Sequence, residues 1–372
     1  MGNTEMIHSW IEHGRNNDAA LVIGKTRKDK FDDFFVVDHG NNFFVNWADF
    51  PAVVNFGHHP GRMAIHWREK SGKGKYEYDI MMAISTDGGN NWGEHFKLHN
   101  DNVKAEHGFV SMASMKGDNT MLITWLDGRN MVGENDDKSM DQESNKFNNR
   151  AMTLRCAEMD VQGNVTNRLE LDDRVCECCG TDLCFTDFGN PIIVYRDRTD
   201  TEVRDIMYTI RRDSQWMAPR PVYPEGWYFN ACPVNGPAVA SADSTIFVAL
   251  YSAKDEIPKI HLRISDDLGF NFSKTIRVDN GSPIGRVDVV AFDGDHAWVS
   301  WIEEHPEHDA EILLAKFDHE KKLEEHHLSY TSSTRDSGFP ILKQKDGSLF
   351  ISYTKVDSIT QPVLKKIKLL GP

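Results

Sequence analysis

Short stretches dense in aliphatic and aromatic residues recur along the chain, separated by clusters of glycine, asparagine, aspartate and serine. Examples are FFVVDHGNNFFVNW, TMLITWLDG, NPIIVYRDR, STIFVALYS, HAWVSWIEE and SLFISYTKV. Each has the length of a strand and the β-branched and aromatic content that suits a pleated surface, with turn-forming residues at its ends. No long stretch shows the 3.6-residue periodicity of an amphipathic helix. The pattern predicts an all-β protein.

The strand pattern itself repeats. Openers begin at Asn46 (NWADFPAVV), Glu106 (EHGFVSMAS), Gly180 (GTDLCFTDFG), Cys232 (CPVNGPAVA), Gly285 (GRVDVVAFDG) and Ser337 (SGFPILKQKDG). Each is followed by a turn and then by an apolar run ending in an aromatic residue. The spacing is about 50 to 60 residues, stretched to about 75 in one interval. A repeat of that length with four strands is a propeller blade. The stretched interval carries NMVGENDDKSMDQESNKFNNR, residues 130–150, a polar insertion that reads as an exposed loop. Residues 1–372 are expected to form a single closed β-propeller of four-stranded antiparallel blades, its ring closed by the amino- and carboxy-terminal segments. Chain length favours seven blades, with six as the alternative.

Two turns share a finer pattern. AISTDGGNNWGEH has Ser85, Asp87, Gly89 and Trp92, and RISDDLGFNFSK has Ser265, Asp267, Gly269 and Phe272. Both read Ser-x-Asp-x-Gly-x-x-aromatic after an apolar strand. One Asp-Gly turn alone is an ordinary hairpin signal, because glycine reaches positive φ without steric cost. The repeated pattern resembles the Asp-box, or BNR repeat, of sialidase-like β-propellers. The aspartate is expected to bind backbone amides within the turn and the aromatic to lock the hairpin, so these residues are structural. The resemblance implies a sialidase-like fold, for which six blades are usual. Sialidases use three arginines on the substrate carboxylate, a tyrosine nucleophile assisted by glutamate, and an aspartate acid/base. This chain lacks their early Phe-Arg-Ile-Pro motif, and its last blade opens DSGFPIL without a tyrosine.

In an antiparallel blade the Ser-x-Asp turns between strands three and four lie on one face. Strand-one openers and strand-two ends share the other. The strand-two ends HWREK, WLDGR, YRDR, YSAKDE, WIEEH and YTKVD each place charge after an aromatic. Any one of them reads as a strand running into solvent; together they make a rim. The openers add Asp49, His107, the cysteines, Asn235, Arg286 and Asp288. Such a rim offers guanidinium forks for a carboxylate or sulfate and carboxylates or imidazoles for proton transfer. Asp49 is the candidate for proton transfer. Arg196, Arg198 and Arg286, with Arg129 and Trp125, are candidates for substrate binding, and Tyr195 for an aromatic or nucleophilic role.

Composition narrows the partners. The 372 residues carry a formal net charge of −15, a field that disfavours nucleic acid and anionic membranes. No run is long and apolar enough to suggest a membrane span. MGNTEMIHSW is not a signal peptide, and a secreted or periplasmic location is expected with the signal absent from this chain. Four of the six cysteines, Cys176, Cys178, Cys179 and Cys184, lie in CECCGTDLC. Successive openers meet near the propeller axis, so Cys176, Cys178 or Cys179 is expected close to Cys232, with His107 nearby. Disulfides, a copper or zinc site, and plain buried thiols are the alternatives. His58-His59 and His326-His327 read as loop residues, with metal ligation the lesser reading. The leading expectation is a sialidase-like glycoside hydrolase acting on an anionic oligo- or polysaccharide. Hydrolysis requires no cofactor; copper, zinc or calcium are candidate ions. The rivals are a polysaccharide lyase, with His107 or Tyr195 removing the proton α to a uronate carboxylate, and a non-catalytic glycan- or metal-binding propeller.

Overall fold

The computed structural model describes residues 6–367 except 15–17, 28–29, 58, 60, 116, 118, 133–149, 273 and 358–359. His58 and most of the 130–150 insertion lie outside the described residues. The fold is a seven-bladed β-propeller, all-β as expected, with blades at 7–40, 52–97, 107–175, 182–221, 238–277, 283–331 and 341–367. Helix among the described residues is confined to single 3-10 turns such as Arg129–Met131.

Blades two, three, five and six are four-stranded antiparallel sheets, and blade four carries two short outer segments on its third strand. Blades one and seven have three strands each. Length, rather than the six-bladed sialidase likeness, gave the right number. The two chain ends do not share a sheet. Instead Ser352 Oγ in blade seven meets His8 Nε2 in blade one at 3.0 Å.

Packing explains the sequence pattern. A second strand is covered by neighbouring blades on both sides, so Met63–Lys70, Thr120–Asp127 and Ala297–Glu304 are buried along nearly their whole length. Such strands read as continuous apolar runs instead of alternating ones. The outermost strand Lys322–Thr331 is mostly exposed and reads KLEEHHLSYT. His326 and His327 sit in this strand, not in a loop, and face Glu324 and Glu311. The core is divided into apolar clusters between successive blades. One joins Phe56, Ile80 and Met82 of blade two to Ile123 and Trp125 of blade three. Another joins Leu262 and Ile264 of blade five to Val299 and Trp301 of blade six.

The two Ser-x-Asp-x-Gly turns have the same internal bonds. Ser85 Oγ donates to Asp87 Oδ1 (2.9 Å) and accepts from the Gly89 amide (2.8 Å). Ser265 Oγ does the same with Asp267 (2.8 Å) and Gly269 (2.8 Å). Asp87 and Asp267 each accept the amide four residues on at 2.9 Å. Gly89 and Gly269 both adopt φ of +80°. Phe272 packs edge-on against Tyr208 of blade four, centroids 5.0 Å apart.

Candidate functional site

The face opposite these turns gathers the strand-one openers and strand-two ends, as in the pairing of His107 with Asp127. Its openers bend sharply. Phe109 (φ 53°), Val234 (φ 50°) and Arg286 (φ 57°) are left-handed although none is glycine. The ladder also slips between Gly108 and Ser111 and between Gly285 and Asp288. A left-handed β-branched residue costs on the order of 1–3 kcal/mol, and such strain persists only where its surroundings enforce it.

An acid pair stands at the junction of blades two and three. Tyr78 begins the third strand of blade two, and Glu106 bridges to it just ahead of blade three. Tyr78 Oη donates to Glu106 Oε1 at 2.6 Å, and Phe44 stacks on the Tyr78 ring with centroids 3.9 Å apart. Burial pushes the Glu106 carboxyl up to about 7; the Tyr78 bond works against this, and the charges of Asp49 and Glu177 add to it. Burial likewise raises the Tyr78 phenol. Asp49 is buried and pairs with Arg68 at 3.1 Å. Burial lifts its carboxyl above the usual range, more than the Arg68 guanidinium lowers it. Gly108 makes this packing possible, since a Cβ there would fall 2.2 Å from Asp49 Oδ2.

Behind Glu106 lies a buried network of carboxylates and imidazoles. The His99 and His107 rings stack 3.7 Å apart, nearly parallel at 6°. His107 Nε2 lies 3.2 Å from Asp101 Oδ2 and 3.6 Å from Asp127 Oδ1. Its Nδ1 faces the Ala105 and Tyr78 carbonyls at 3.1 and 3.2 Å, so that nitrogen carries a proton. His99 bridges Asp79 (3.3 Å) and Asp101 (3.2 Å), and Arg129 bridges Asp101 (2.7 Å) and Asp127 (2.6 Å). Burial alone would raise the Asp101 carboxyl, but hydrogen bonds from His107 and His99 hold it well below the carboxylate range. His107 is thus placed to fix the backbone on either side of the Tyr78–Glu106 pair. It belongs to this network, not to a cysteine cluster. Asp101, His107 and Asp127 converge closely enough to hold a cation, as do Asp79, His99 and His107. The Arg129 guanidinium already neutralises two of those carboxylates.

The cysteine and arginine positions meet between blades four and five. Cys178 and Cys232 form a disulfide, Cα atoms 6.0 Å apart, where adjacent openers were expected to meet. Cys176 and Cys179 are free and buried beside it. Arg204 Nη1 donates to Cys176 Sγ at 3.0 Å. The bond from Cys179 outweighs burial and, with the Arg204 and Arg196 charges, brings the Cys176 thiol down to about 6. Glu177 is ion-paired with both Arg198 and Arg204, and Glu202 joins the same two arginines at 2.8 Å each.

Several residues named from sequence prove to be committed to the fold. Arg196 donates to the main-chain carbonyls of Asn235 (2.8 Å), Arg204 (2.7 Å) and Tyr251 (2.8 Å). Arg286 donates to the Ser337 hydroxyl and to the carbonyls of Gly338 (3.2 Å) and Thr334 (3.0 Å). Neither guanidinium is free for a substrate carboxylate. Trp125 is buried with Nε1 on Asp127 at 2.8 Å, so it offers no face to a sugar. Tyr195 is buried and donates to Asp172 at 2.5 Å. Arg198 and Arg129 keep about a fifth of their side chains exposed, 23% and 19%, within their ion pairs. Asn235 and Asp288 tie blades together: Asn235 Oδ1 accepts the Arg286 amide at 2.8 Å and Asp288 Oδ2 the Leu342 amide at 2.6 Å. Glu106, Tyr78 and Glu177 were not singled out in sequence, though Glu106 opens EHGF and Glu177 sits inside CECC.

The fold is that of a seven-bladed β-propeller, with ionisable side chains gathered on the opener face. No protein-family model and no characterised sequence relative matches the chain. Among solved structures it is similar to the lectin BP39L from Burkholderia pseudomallei (8% identity, 98% of this chain and 96% of that one, TM-score 0.63). It is also similar to the intramolecular trans-sialidase from Ruminococcus gnavus bound to oseltamivir carboxylate (10% identity, 84% and 93%, TM-score 0.55). A third is the α-L-arabinanase of Penicillium chrysogenum complexed with arabinobiose (14% identity, 87% and 94%, TM-score 0.53). At such identities the likeness is one of fold.

Proposed function

We propose that the protein is a sialidase-like propeller glycoside hydrolase whose proton-transfer group is Glu106. The observation that carries this reading is a half-buried carboxyl brought to about 7 on the opener face, hydrogen-bonded to Tyr78 at 2.6 Å. A carboxyl titrating near 7 is protonated in a useful fraction of molecules at neutral pH, so it can protonate a leaving glycosidic oxygen. The Tyr78 hydroxyl then stabilises the carboxylate left behind. Besides Asp49, Glu177 is a carboxylate within electrostatic reach, and its environment is the opposite one, ion-paired to Arg198 and Arg204. Two carboxyl groups in contrasting surroundings are what glycoside hydrolysis uses, one as acid and one as base or nucleophile. Selection of an anionic glycan, on this reading, goes through Arg198, which would exchange Glu202 for a substrate carboxylate. The fold neighbours support a glycan as substrate, since their described ligands include arabinobiose.

The test is hydrolysis of a panel of aryl sialosides, arabinosides and uronides, with Glu106→Gln alongside the parent. The substitution should lower kcat by roughly 10²–10⁴, the usual contribution of a positioned acid. It should also remove the fall in kcat/KM expected as pH rises through about 7. Full activity in Glu106→Gln would overturn the assignment. An ultraviolet-absorbing unsaturated product would replace hydrolysis with elimination.

A further inference from the structure

Cys176, Cys178 and Cys179 bring their sulfur atoms within 4.8 Å of one another, and so do the ligand atoms of Cys176, Glu177 and Cys232. Four sulfurs are thus gathered between the openers of blades four and five, Cys232 Sγ being bonded to Cys178 and within 4.8 Å of Cys176. Cys176 Sγ is 3.5 Å from Cys179 Sγ and 4.0 Å from Cys178 Sγ. A tetrahedral zinc thiolate with Zn–S near 2.3 Å has S···S edges of about 3.8 Å, and trigonal copper(I) thiolates have edges close to that. The two measured separations bracket this edge. Two of the four are shielded, Cys176 and Cys179 at 1% exposure each, while Cys178 is half-buried and Cys232 is exposed. A tetrathiolate carries excess negative charge, and two guanidinium groups lie beside it, Arg204 being shared with Glu177 and Glu202. Arg204 donates to Cys176 Sγ at 3.0 Å, and the Arg196 guanidinium adds its charge to the same sulfurs.

We propose that Cys176, Cys178, Cys179 and Cys232 form a binding site for a soft d10 metal ion, zinc(II) or copper(I), whenever the Cys178–Cys232 bond is reduced. A dithiol reductant supplies the two electrons. It passes to its own cyclic disulfide while the Cys178–Cys232 bond is cleaved to two thiols. Metal binding then displaces one proton from each ligating thiol. Oxidation by a disulfide or by oxygen reverses the exchange, releases the ion and restores the covalent tie between the two blades. In both states the segment carrying Glu177 is pinned at the same place, by a metal or by a disulfide. The inference is independent of the proposed hydrolysis.

The experiment loads the intact protein, after anaerobic reduction and removal of the reductant, with zinc(II), copper(I) or cobalt(II) in separate arms. Bound metal is counted by elemental analysis. One equivalent of zinc or copper per chain is expected in reduced protein and none in oxidised protein. Cobalt should give thiolate charge-transfer absorption and the visible bands of a tetrahedral site. The zinc and copper arms, run in competition with chelators, decide which ion the site prefers. Cys176→Ser should weaken binding by more than roughly 100-fold, since even outer-shell partners of metal ligands contribute 10–100-fold. Cys184→Ser, which removes a thiol outside the cluster, should bind as the parent does. Circular dichroism distinguishes a lost ligand from a lost fold, and Cys179→Ser repeats the test at a second ligand. Reduced, folded parent protein that takes up no metal would overturn the proposal. So would stoichiometric binding of equal strength in folded Cys176→Ser and Cys179→Ser.

Discussion

Blades three and six end their second strands alike, yet the two endings serve different ends. Trp125 donates to Asp127 at 2.8 Å, and Trp301 donates to Glu303 at 2.8 Å, each acid two residues after its tryptophan. Around Glu303 the remaining partners are main-chain amides: Asn280 at 3.0 Å and Ser282 at 2.8 Å. Around Asp127 they are ionisable side chains, Arg129 and His107, with Asp101 and His99 beyond. The same local sequence thus closes a loop in one half of the ring and joins a charge network in the other. Asn235, Arg286 and Asp288 repeat the first use in blades five and six, each bonded to backbone of the next blade. The buried network of ionisable groups lies in blades two to four, where Glu106 acquires its raised pKa, whereas the pairs of blade six such as His327 with Glu311 lie on its outer strand.

The sharpest break of the comparison is to remove the two acids in turn. Asp127→Asn leaves Arg129 and His107 facing a neutral amide in a buried site. Breaking one side of a buried ionic network typically costs about 3–5 kcal/mol. Glu303→Gln keeps one oxygen acceptor for its amides but sets an NH₂ against the others, which should cost about 1–3 kcal/mol. Urea unfolding of both variants checks this. Equal losses would show that the two sites are held by the same kind of bond.

Two carboxyls, Asp288 in one half and Asp101 in the other, should respond to pH in opposite senses. Burial raises the Asp288 carboxyl from 3.8 to about 7. Its folded-state pKa lies above its unfolded value, so its favourable contribution is full below pH 4 and declines as pH rises through 7. Asp101 is held low, so its contribution is full above its unfolded value and is lost as pH falls below about 4. Asp288→Asn should therefore flatten the urea midpoint between pH 4 and 7, and Asp101→Asn should flatten it below pH 4. Identical profiles for both variants and the parent would mean that neither carboxyl carries the pH dependence.

How much of this was legible in sequence follows from which contacts are local. The blades were legible because a second strand buried on both sides leaves an unbroken apolar run, and the run recurs with each opener. The nearness of Cys178 to Cys232 was legible for the same reason, since successive openers are neighbours around the axis. Three strands at each end were legible too; whether they share one blade or form two incomplete ones was not, and each end keeps its own sheet instead of completing the other's. The partners of Arg196 and Arg286 were hidden as well. Most of their acceptors are carbonyl groups of the next blade, and a carbonyl has no signature in sequence. Glu106 escaped notice because the groups that tune it, Tyr78, Asp49 and Glu177, come from three blade junctions separated by dozens of residues.

The smallest expected effect concerns the far face, where the two halves should not differ. Ser85 and Ser265 are buried, at 1% and 0% exposure, and each hydroxyl accepts one glycine amide at 2.8 Å while donating to an aspartate. Removing either hydroxyl leaves a buried amide without its acceptor, at a cost of about 1–3 kcal/mol. Ser85→Ala and Ser265→Ala should therefore lose nearly the same stability, and the double variant should lose their sum to within about 0.5 kcal/mol, as distant sites do. On the proposed reading, glycoside turnover should be unchanged in both, because the turns lie on the face away from Glu106. The reason is geometric: a hairpin between strands three and four makes its bonds within itself, so it does not register whether its blade carries Asp127 or Glu303. A large gap between the two serines would show that the contrast between the halves runs through the blades to the far face. A selective loss of turnover in Ser85→Ala, at normal stability, would place blade two's turn in contact with the Tyr78–Glu106 pair through the Tyr78–Ser85 strand that joins them.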